Sequence, residues 1–202
     1  MPEGFTLAEA VTLPNNFVTV FHTLVGDLGI ETPWPKPDGY VPKRSDEAIL
    51  IWGGSSSVGQ FAVQILRYYG YTNILATASR KHHENLRRLG AKEVFDYSDT
   101  NVVSSILGGG CNSNIPFIFD CIGSKQGSIA PISQIAKSGA KVAIVLPVIV
   151  QDSSDIQEPE YEMDVERAAS WQEGVDVKGV RTHFYPNVST KNQFTKPTSK
   201  QH

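Results

Sequence analysis

The sequence predicts an α/β protein built on a doubly wound parallel sheet. Two observations lead there. The stretch Ala48-Ile49-Leu50-Ile51-Trp52-Gly53-Gly54-Ser55-Ser56-Ser57-Val58-Gly59-Gln60 reads as a strand, a tight glycine/serine loop and the start of a helix. Around it, short apolar runs alternate with segments of helical period as far as Val145. Parallel strands joined by right-handed helical crossovers leave that pattern.

Taken in order, residues 1–30 form a helical segment. Phe5 to Leu13 is apolar-rich, with Thr6 as its N-cap, and Pro14 predicts a fresh helix, since proline suits a first helical turn. Phe17, Phe21, Leu24 and Leu28 then repeat at helical spacing. Residues 31–47 form a linker whose four prolines, Pro33, Pro35, Pro37 and Pro42, forbid a helix and favour an extended path. Trp34 and Tyr40 are expected to pin it to the domain; a proline motif for a partner is the alternative.

Residues 48–185 are expected to form the main domain. Ala48 to Trp52 is an unbroken apolar run, as in a strand buried on both faces. Val58, Phe61, Ala62, Ile65, Leu66 and Tyr69 then mark one helical face, ended by Gly70. Asn73–Thr77 is a second strand, and His82–Leu89 a helix closed by Gly90. A short strand at Glu93–Asp96 and a helix at Asn101–Leu107 lead to the loop Gly108-Gly109-Gly110. Pro116–Asp120 is a fourth strand, Ser128–Lys137 a helix and Ala140–Val145 a fifth strand. Gln151–Glu162 reads as an acidic surface loop, and Val177–Tyr185 alternates like a sixth strand. Residues 186–202, polar and poor in large apolar side chains, are expected to be a disordered tail.

The composition narrows the function classes. Of 202 residues, 40% are hydrophobic and 19% charged, with a net charge of −3. That balance argues against a nucleic-acid surface. No run approaches the length of a membrane span, and no secretory signal opens the chain. Cys111 and Cys121 make neither a disulfide framework nor a metal pattern; each is expected to fill space in a reducing, cytoplasmic setting.

The loop after the first strand suits a pyrophosphate. A helix N-terminus leaves unpaired N–H groups and carries partial positive charge. Small residues let phosphate oxygens come close. The candidate residues are Gly54, Ser55, Ser56, Ser57, Val58 and Gly59. The G-x-G-x-x-G pattern is not met literally, and a nucleotide-triphosphate loop fails because Gln60-Phe61 stands where Lys-Ser/Thr is needed. A plain strand–turn–helix is the competing reading.

About twenty residues on, an acid would hold the ribose 2′-hydroxyl of NAD, and a base the 2′-phosphate of NADP. This chain has Ser79, Arg80 and Lys81 there, and no acid before Glu84. Ser79 can donate to phosphate, and Arg80 can grip it through two N–H groups. Tyr97, after the third strand, is placed to cover the adenine. A solvated basic turn and a surface aromatic are the plainer alternatives.

The strand Ile49–Trp52, the loop Gly53–Gly59, the run Ala76-Thr77-Ala78-Ser79, and Leu89-Gly90-Ala91 followed by Val94-Phe95-Asp96-Tyr97 resemble the medium-chain dehydrogenase/reductase superfamily. Within it they are similar to the zinc-free quinone/enoyl reductase branch, and most of all to fungal trans-acting enoyl reductases. Ala10-Val11-Thr12-Leu13-Pro14-Asn15-Asn16-Phe17-Val18-Thr19 also matches that branch. The resemblance implies a Rossmann cofactor domain in which Asn16 and Thr19 face the nicotinamide. It also implies a separate substrate domain ahead of this region, which is not visible here, so a shortened cofactor domain is expected.

Two functions follow from the resemblance. One is NADPH-dependent reduction of a polarised C=C bond in an enoyl thioester or quinone. The substrate would be small or carrier-bound, a polyketide synthase a partner, and the edge strand near Val177–Tyr185 a homodimer contact. The other is a non-catalytic NADPH-binding module. Zinc is not expected, because a catalytic site needs three protein ligands and a structural one four. Asp120, ending the fourth strand, is expected to anchor a loop.

Overall fold

A computed structural model describes residues 4, 6–108 and 114–181. Cys111, part of the triple-glycine loop, the end of the predicted sixth strand and the 186–202 segment lie outside the described residues.

Among the described residues six parallel strands form the sheet: β1 (Ile49–Trp52), β2 (Ile74–Thr77), β3 (Glu93–Phe95), β4 (Phe117–Asp120), β5 (Lys141–Val145) and, last of these, β8 (Asp176–Val180). Their order is β3-β2-β1-β4-β5-β8. The chain therefore runs outward from β1 through β2 to β3, then returns to lay β4 on the other side of β1. Register fixes the centre: Ile49 pairs with Ile74 on one side and Phe117 on the other. Such a reversal parts the loops that follow β1 and β4 and opens a crevice at the carboxyl ends of the strands.

Alternation along each strand divides the core in two. Ile49, Ile51, Phe117 and Phe119 face one layer; Leu50, Trp52, Ile118, Val142 and Ile144 face the other. On the first face pack α1 (Leu7–His22), α2 (Ser57–Tyr69) and α3 (His83–Leu89), through Val20, Ala62, Leu66 and Leu86. On the second pack α4 (Val102–Gly108) and α5 (Ala130–Ile135), through Ile106, Ile132 and Ile135. Burying each such aliphatic side chain stabilises the fold by about 1.5–3 kcal/mol, which outweighs the weak propensity of four-residue strands.

Three expectations are corrected. Pro14 does not start a new helix; Leu7–His22 is continuous through it. An interior proline removes one backbone hydrogen bond, and Pro14 lies on the exposed side of the helix. The acidic stretch is not all loop: it ends in β7 (Glu160–Glu162), which pairs antiparallel with β6 (Val148–Gln151) just before it. In the 31–47 segment Trp34, 63% exposed, is not the main anchor. The segment is held instead by the hydroxyls of Tyr69 and Tyr71, which donate to the Pro33 and Glu31 carbonyls, each at 3.0 Å. Tyr40 packs edge-on against Tyr69.

Candidate cofactor-binding site

The loop between β1 and α2 is tied down on both sides. Gly53, in the left-handed region at φ +81°, donates its N–H to the Thr77 hydroxyl at 3.0 Å, and the Gly54 N–H donates to the Thr77 carbonyl at 2.8 Å. The end of β2 thus shapes the turn after β1. Ser56 is the N-cap of α2: its hydroxyl accepts from the Gly59 N–H at 3.0 Å and donates to the Gly53 carbonyl at 2.8 Å. It is a structural cap rather than a spare donor. Gln60 Nε2 donates to the Ser55 carbonyl at 2.9 Å.

Gly59 is required by space. A Cβ there would run into the Gly53 carbonyl oxygen and lie 2.7 Å from the Gly54 Cα. The first turn of the helix is thereby drawn against the loop. The N–H groups of Ser55, Ser57 and Val58 have no acceptor among the described residues. They are the orphan donors that every helix start leaves, here collected at the sheet's switch point beside two more hydroxyls. A pyrophosphate fits that donor set.

The segment after β4 forms the facing wall. Asp120 is fully buried: Oδ1 accepts from the N–H groups of Ile122 and Gly123 at 2.9 and 3.1 Å, and Oδ2 accepts from the Ser128 hydroxyl at 2.6 Å. It is the loop anchor expected. Burial pushes its pKa up to about 6, against the pull of the Ser128, Ile122 and Gly123 donors. The loop it folds brings the Ile122 side chain against Gly53, where any Cβ would strike it. Burial also pushes the neighbouring Cys121 thiol well up, helped by the Asp120 charge and opposed by a hydrogen bond with Ser56.

At the end of β2, Ser79 leads into a short 3₁₀ turn, Arg80–His82. The Arg80 side chain is 82% exposed, yet its Nε lies 3.0 Å from Oδ2 of Asp96. Asp96 is held below the usual carboxylate range by the Ser98 hydroxyl and N–H, and next by Arg80. Lys81 is exposed, and Tyr97, next to Asp96, is half exposed. Ser79, Arg80, Lys81 and Tyr97 are therefore gathered at the carboxyl ends of β2 and β3.

Asn16 and Thr19 lie on α1, which packs along α2. The Asn16 side chain donates to the Thr12 carbonyl and the Thr19 hydroxyl to the Asn15 carbonyl; Thr19 is buried. These contacts run within α1 and do not join the two residues to the 53–59 loop. Sequence reasoning missed Thr77, Asp96 and Ile122. Thr77 looked like an ordinary strand residue, and the other two reach the site from neighbouring loops.

Zinc does not fit. Among the described residues no group of three or more His, Cys, Asp or Glu side chains is placed to hold a metal, and His83 Nε2 is engaged 2.9 Å from the Ala78 carbonyl oxygen. Nor is any described helix long and apolar enough to cross a membrane.

A parallel sheet in this order, with a glycine/serine loop at its switch point, defines a Rossmann-like α/β domain. The chain belongs to the zinc-binding dehydrogenase family, whose model matches residues 57–177, more than half of its length. Among its relatives is the uncharacterized protein YNL134C of Saccharomyces cerevisiae, 34% identical over 170 residues, which cover 82% of this chain and 43% of that protein. The trans-enoyl reductase tazE of Aspergillus terreus is 43% identical over 107 residues, 53% of this chain and 33% of that one. The same fold occurs in the CurK enoyl reductase, with a TM-score of 0.67 at 20% identity over 93% of this chain and 48% of that one. It occurs also in a quinone oxidoreductase of Pseudomonas syringae, at 0.65 and 18%, over 93% and 50%. The resemblance to medium-chain reductases thus holds in sequence and in fold. The chain spans well under two thirds of these relatives' length.

Proposed function

We propose that the protein is an NADPH-dependent oxidoreductase that reduces a polarised C=C bond of an enoyl thioester or quinone. The observation that carries this reading is the set of unpaired N–H groups of Ser55, Ser57 and Val58, drawn against the loop by Gly59 at the switch point. Bound there, NADPH would supply a hydride. Ser55, Ser57, Val58 and the glycines would hold its pyrophosphate, and Ser79, Arg80 and Lys81 its 2′-phosphate. Tyr97 would cover the adenine, and Asn16 and Thr19 would stand on the nicotinamide side. The relatives named as trans-enoyl reductases support a carrier-bound enoyl substrate, with a polyketide synthase as the partner that the resemblance implies. A homodimer through β8 goes with the same lineage.

A second reading, a non-catalytic NADPH-binding module, is favoured by one observation. The two titratable groups beside the loop are committed: Asp120 anchors its own loop, and burial pushes the Cys121 thiol well up, away from easy proton release. Neither is free to hand a proton to a substrate. Titration with NADPH, followed by NADPH oxidation with enoyl thioesters and quinones, separates the two. Binding with turnover supports the reductase; binding without turnover on the whole panel leaves the module; no binding removes both.

A further inference from the structure

The helix α1 wears much of its apolar surface outward. At about 100° per residue, Leu7, Val11, Pro14 and Val18 fall on one line, flanked by Phe17 and Phe21. Thr12, Asn16, Thr19 and, just beyond the helix, Thr23 fall on the other side. In a helix that simply lies on a core, the apolar line faces inward and the polar one outward. Here Thr19 and Thr23 are buried beside Val20 and Leu24, whereas Leu7 and Val11 are 78% and 75% exposed, and Phe17 and Val18 are exposed too. The core accepts the threonines because their hydroxyls turn back onto the chain. Thr19 donates to the Asn15 carbonyl and Thr23 to the Thr19 carbonyl, each at 2.8 Å.

A continuous apolar line of this kind marks an interaction surface, and its composition says with what. Residues 10–21 contain no charged side chain. A strongly acidic or basic partner finds nothing there to pair with, and helices that lie on lipid carry Lys or Arg beside the apolar face. A second copy needs neither. Near the axis of an isologous contact each charge would meet its own like, so an uncharged face is one that two copies can share. The register agrees. With two α1 helices antiparallel about a twofold axis at Pro14, residue 7 of one copy stands level with 21 of the other, 10 with 18, and 11 with 17. Each level then sets apolar against apolar: Leu with Phe, Ala with Val, Val with Phe, and Pro14 with itself. A hollow of about 580 Å³ beside the line, walled by Phe17, Phe21 and Phe61, leaves room for an inserted side chain.

We propose that α1 is a docking face for a second copy of this chain, paired antiparallel about a twofold axis at Pro14. Leu7 of one copy packs against Val18 and Phe21 of the other, and Val11 against Pro14 and Val18, along a helix about 24 Å long. Asn16 and Thr19 lie on the other side of the helix, so the contact does not cover them, and nothing in it depends on the dinucleotide reading. The face is also separate from the β8 edge.

Sedimentation velocity of the full chain over a range of concentrations tests this. The chain should dimerise with a Kd on the order of 10 µM or tighter. That Kd should hold within a factor of about two up to roughly 0.5 M salt, because no ion pair makes the contact. Val11→Lys and Val18→Lys should each weaken the dimer at least about tenfold and leave the circular-dichroism spectrum as it is, since both side chains are exposed in the single chain. Under mild oxidation Pro14→Cys should give a reducible covalent dimer, its two sulfurs meeting at the axis; Thr12→Cys, on the other side of the helix, should not. A chain that stays monomeric throughout overturns the proposal, and one that then sediments with phosphatidylcholine vesicles assigns the line to lipid. A dimer that survives both lysine substitutions overturns it as well, being held by another surface such as the β8 edge. No crosslink from Pro14→Cys overturns the twofold register.

Discussion

Arg80 Nε lies 3.0 Å from Oδ2 of Asp96 across the pair of strands β2 and β3, sixteen residues apart in sequence. The contact is single, through Nε, and the Arg80 side chain is otherwise largely exposed. Asp96 also lends this corner a negative charge that a 2′-phosphate would meet. Arg80→Ala should reduce the preference for NADPH over NADH by roughly three- to tenfold, discounted for exposure. Asp96→Asn should increase that preference a few fold. Fluorescence titration of each variant with both dinucleotides checks this. A parent with equal affinity for the two shows that the corner does not choose the cofactor.

Gly59→Val places methyl groups where the Gly53 carbonyl and the Gly54 Cα already stand. The first turn of α2 must move off the loop, and its orphan N–H groups disperse. Dinucleotide binding should be lost, at least a hundredfold by calorimetry, with most of the circular-dichroism signal kept. A variant that folds and binds as the parent does shows that the pyrophosphate lies elsewhere.

Thr77→Val keeps the shape of a buried strand residue but removes the oxygen that accepts from the Gly53 N–H. An unsatisfied buried donor costs about 1–3 kcal/mol. The midpoint of urea unfolding should fall accordingly, and dinucleotide affinity should fall with it, because the loop loses one of its two ties to β2. Unchanged affinity in a destabilised variant would confine Thr77 to a structural role.

Asp120 carries the pH dependence. Its folded pKa, about 6, lies above the ordinary aspartate value of 3.8. The folded state therefore holds a proton that the unfolded chain has released between about pH 4 and 6, and stability from this group falls as pH rises through that window. The loss is on the order of 3 kcal/mol once the carboxylate is ionised. Asp120→Asn can keep the network. Its Nδ2 can donate to Ser128 Oγ, whose single hydrogen then turns to the Ser124 carbonyl oxygen, 3.0 Å away. The variant should melt no lower than the parent at pH 7.5 and lose the slope between pH 4 and 6. A sharply lower melting temperature at pH 7.5 would mean that the ionised form is itself needed.

The sheet was readable because each buried strand is an unbroken apolar run, and β1, β2, β4 and β5 all announce themselves in this way. The glycine/serine loop was readable because Gly53 and Gly59 meet demands of backbone angle and space that no other residue meets. What stayed hidden was pairing at a distance. Asp96 reaches Arg80 only because two parallel strands end together, and Ile122 reaches Gly53 only because β4 lies beside β1. The β6–β7 hairpin was hidden for another reason. Its acidic residues have the composition of a loop, and its small buried face rests on Val148.

The segment just beyond α1 and the strand β8 share one seat. Leu24 and Leu28, just beyond α1, are buried in the same core as Val180, and Lys178 Nζ reaches the Asp27 carbonyl oxygen across 151 residues. On a ribosome, the α1 segment cannot complete these contacts until β8, some 151 residues later, has emerged. Its apolar face must wait through that interval, when nascent chains are open to wrong partners. The helix thus needs shelter for as long as the intervening chain takes to make.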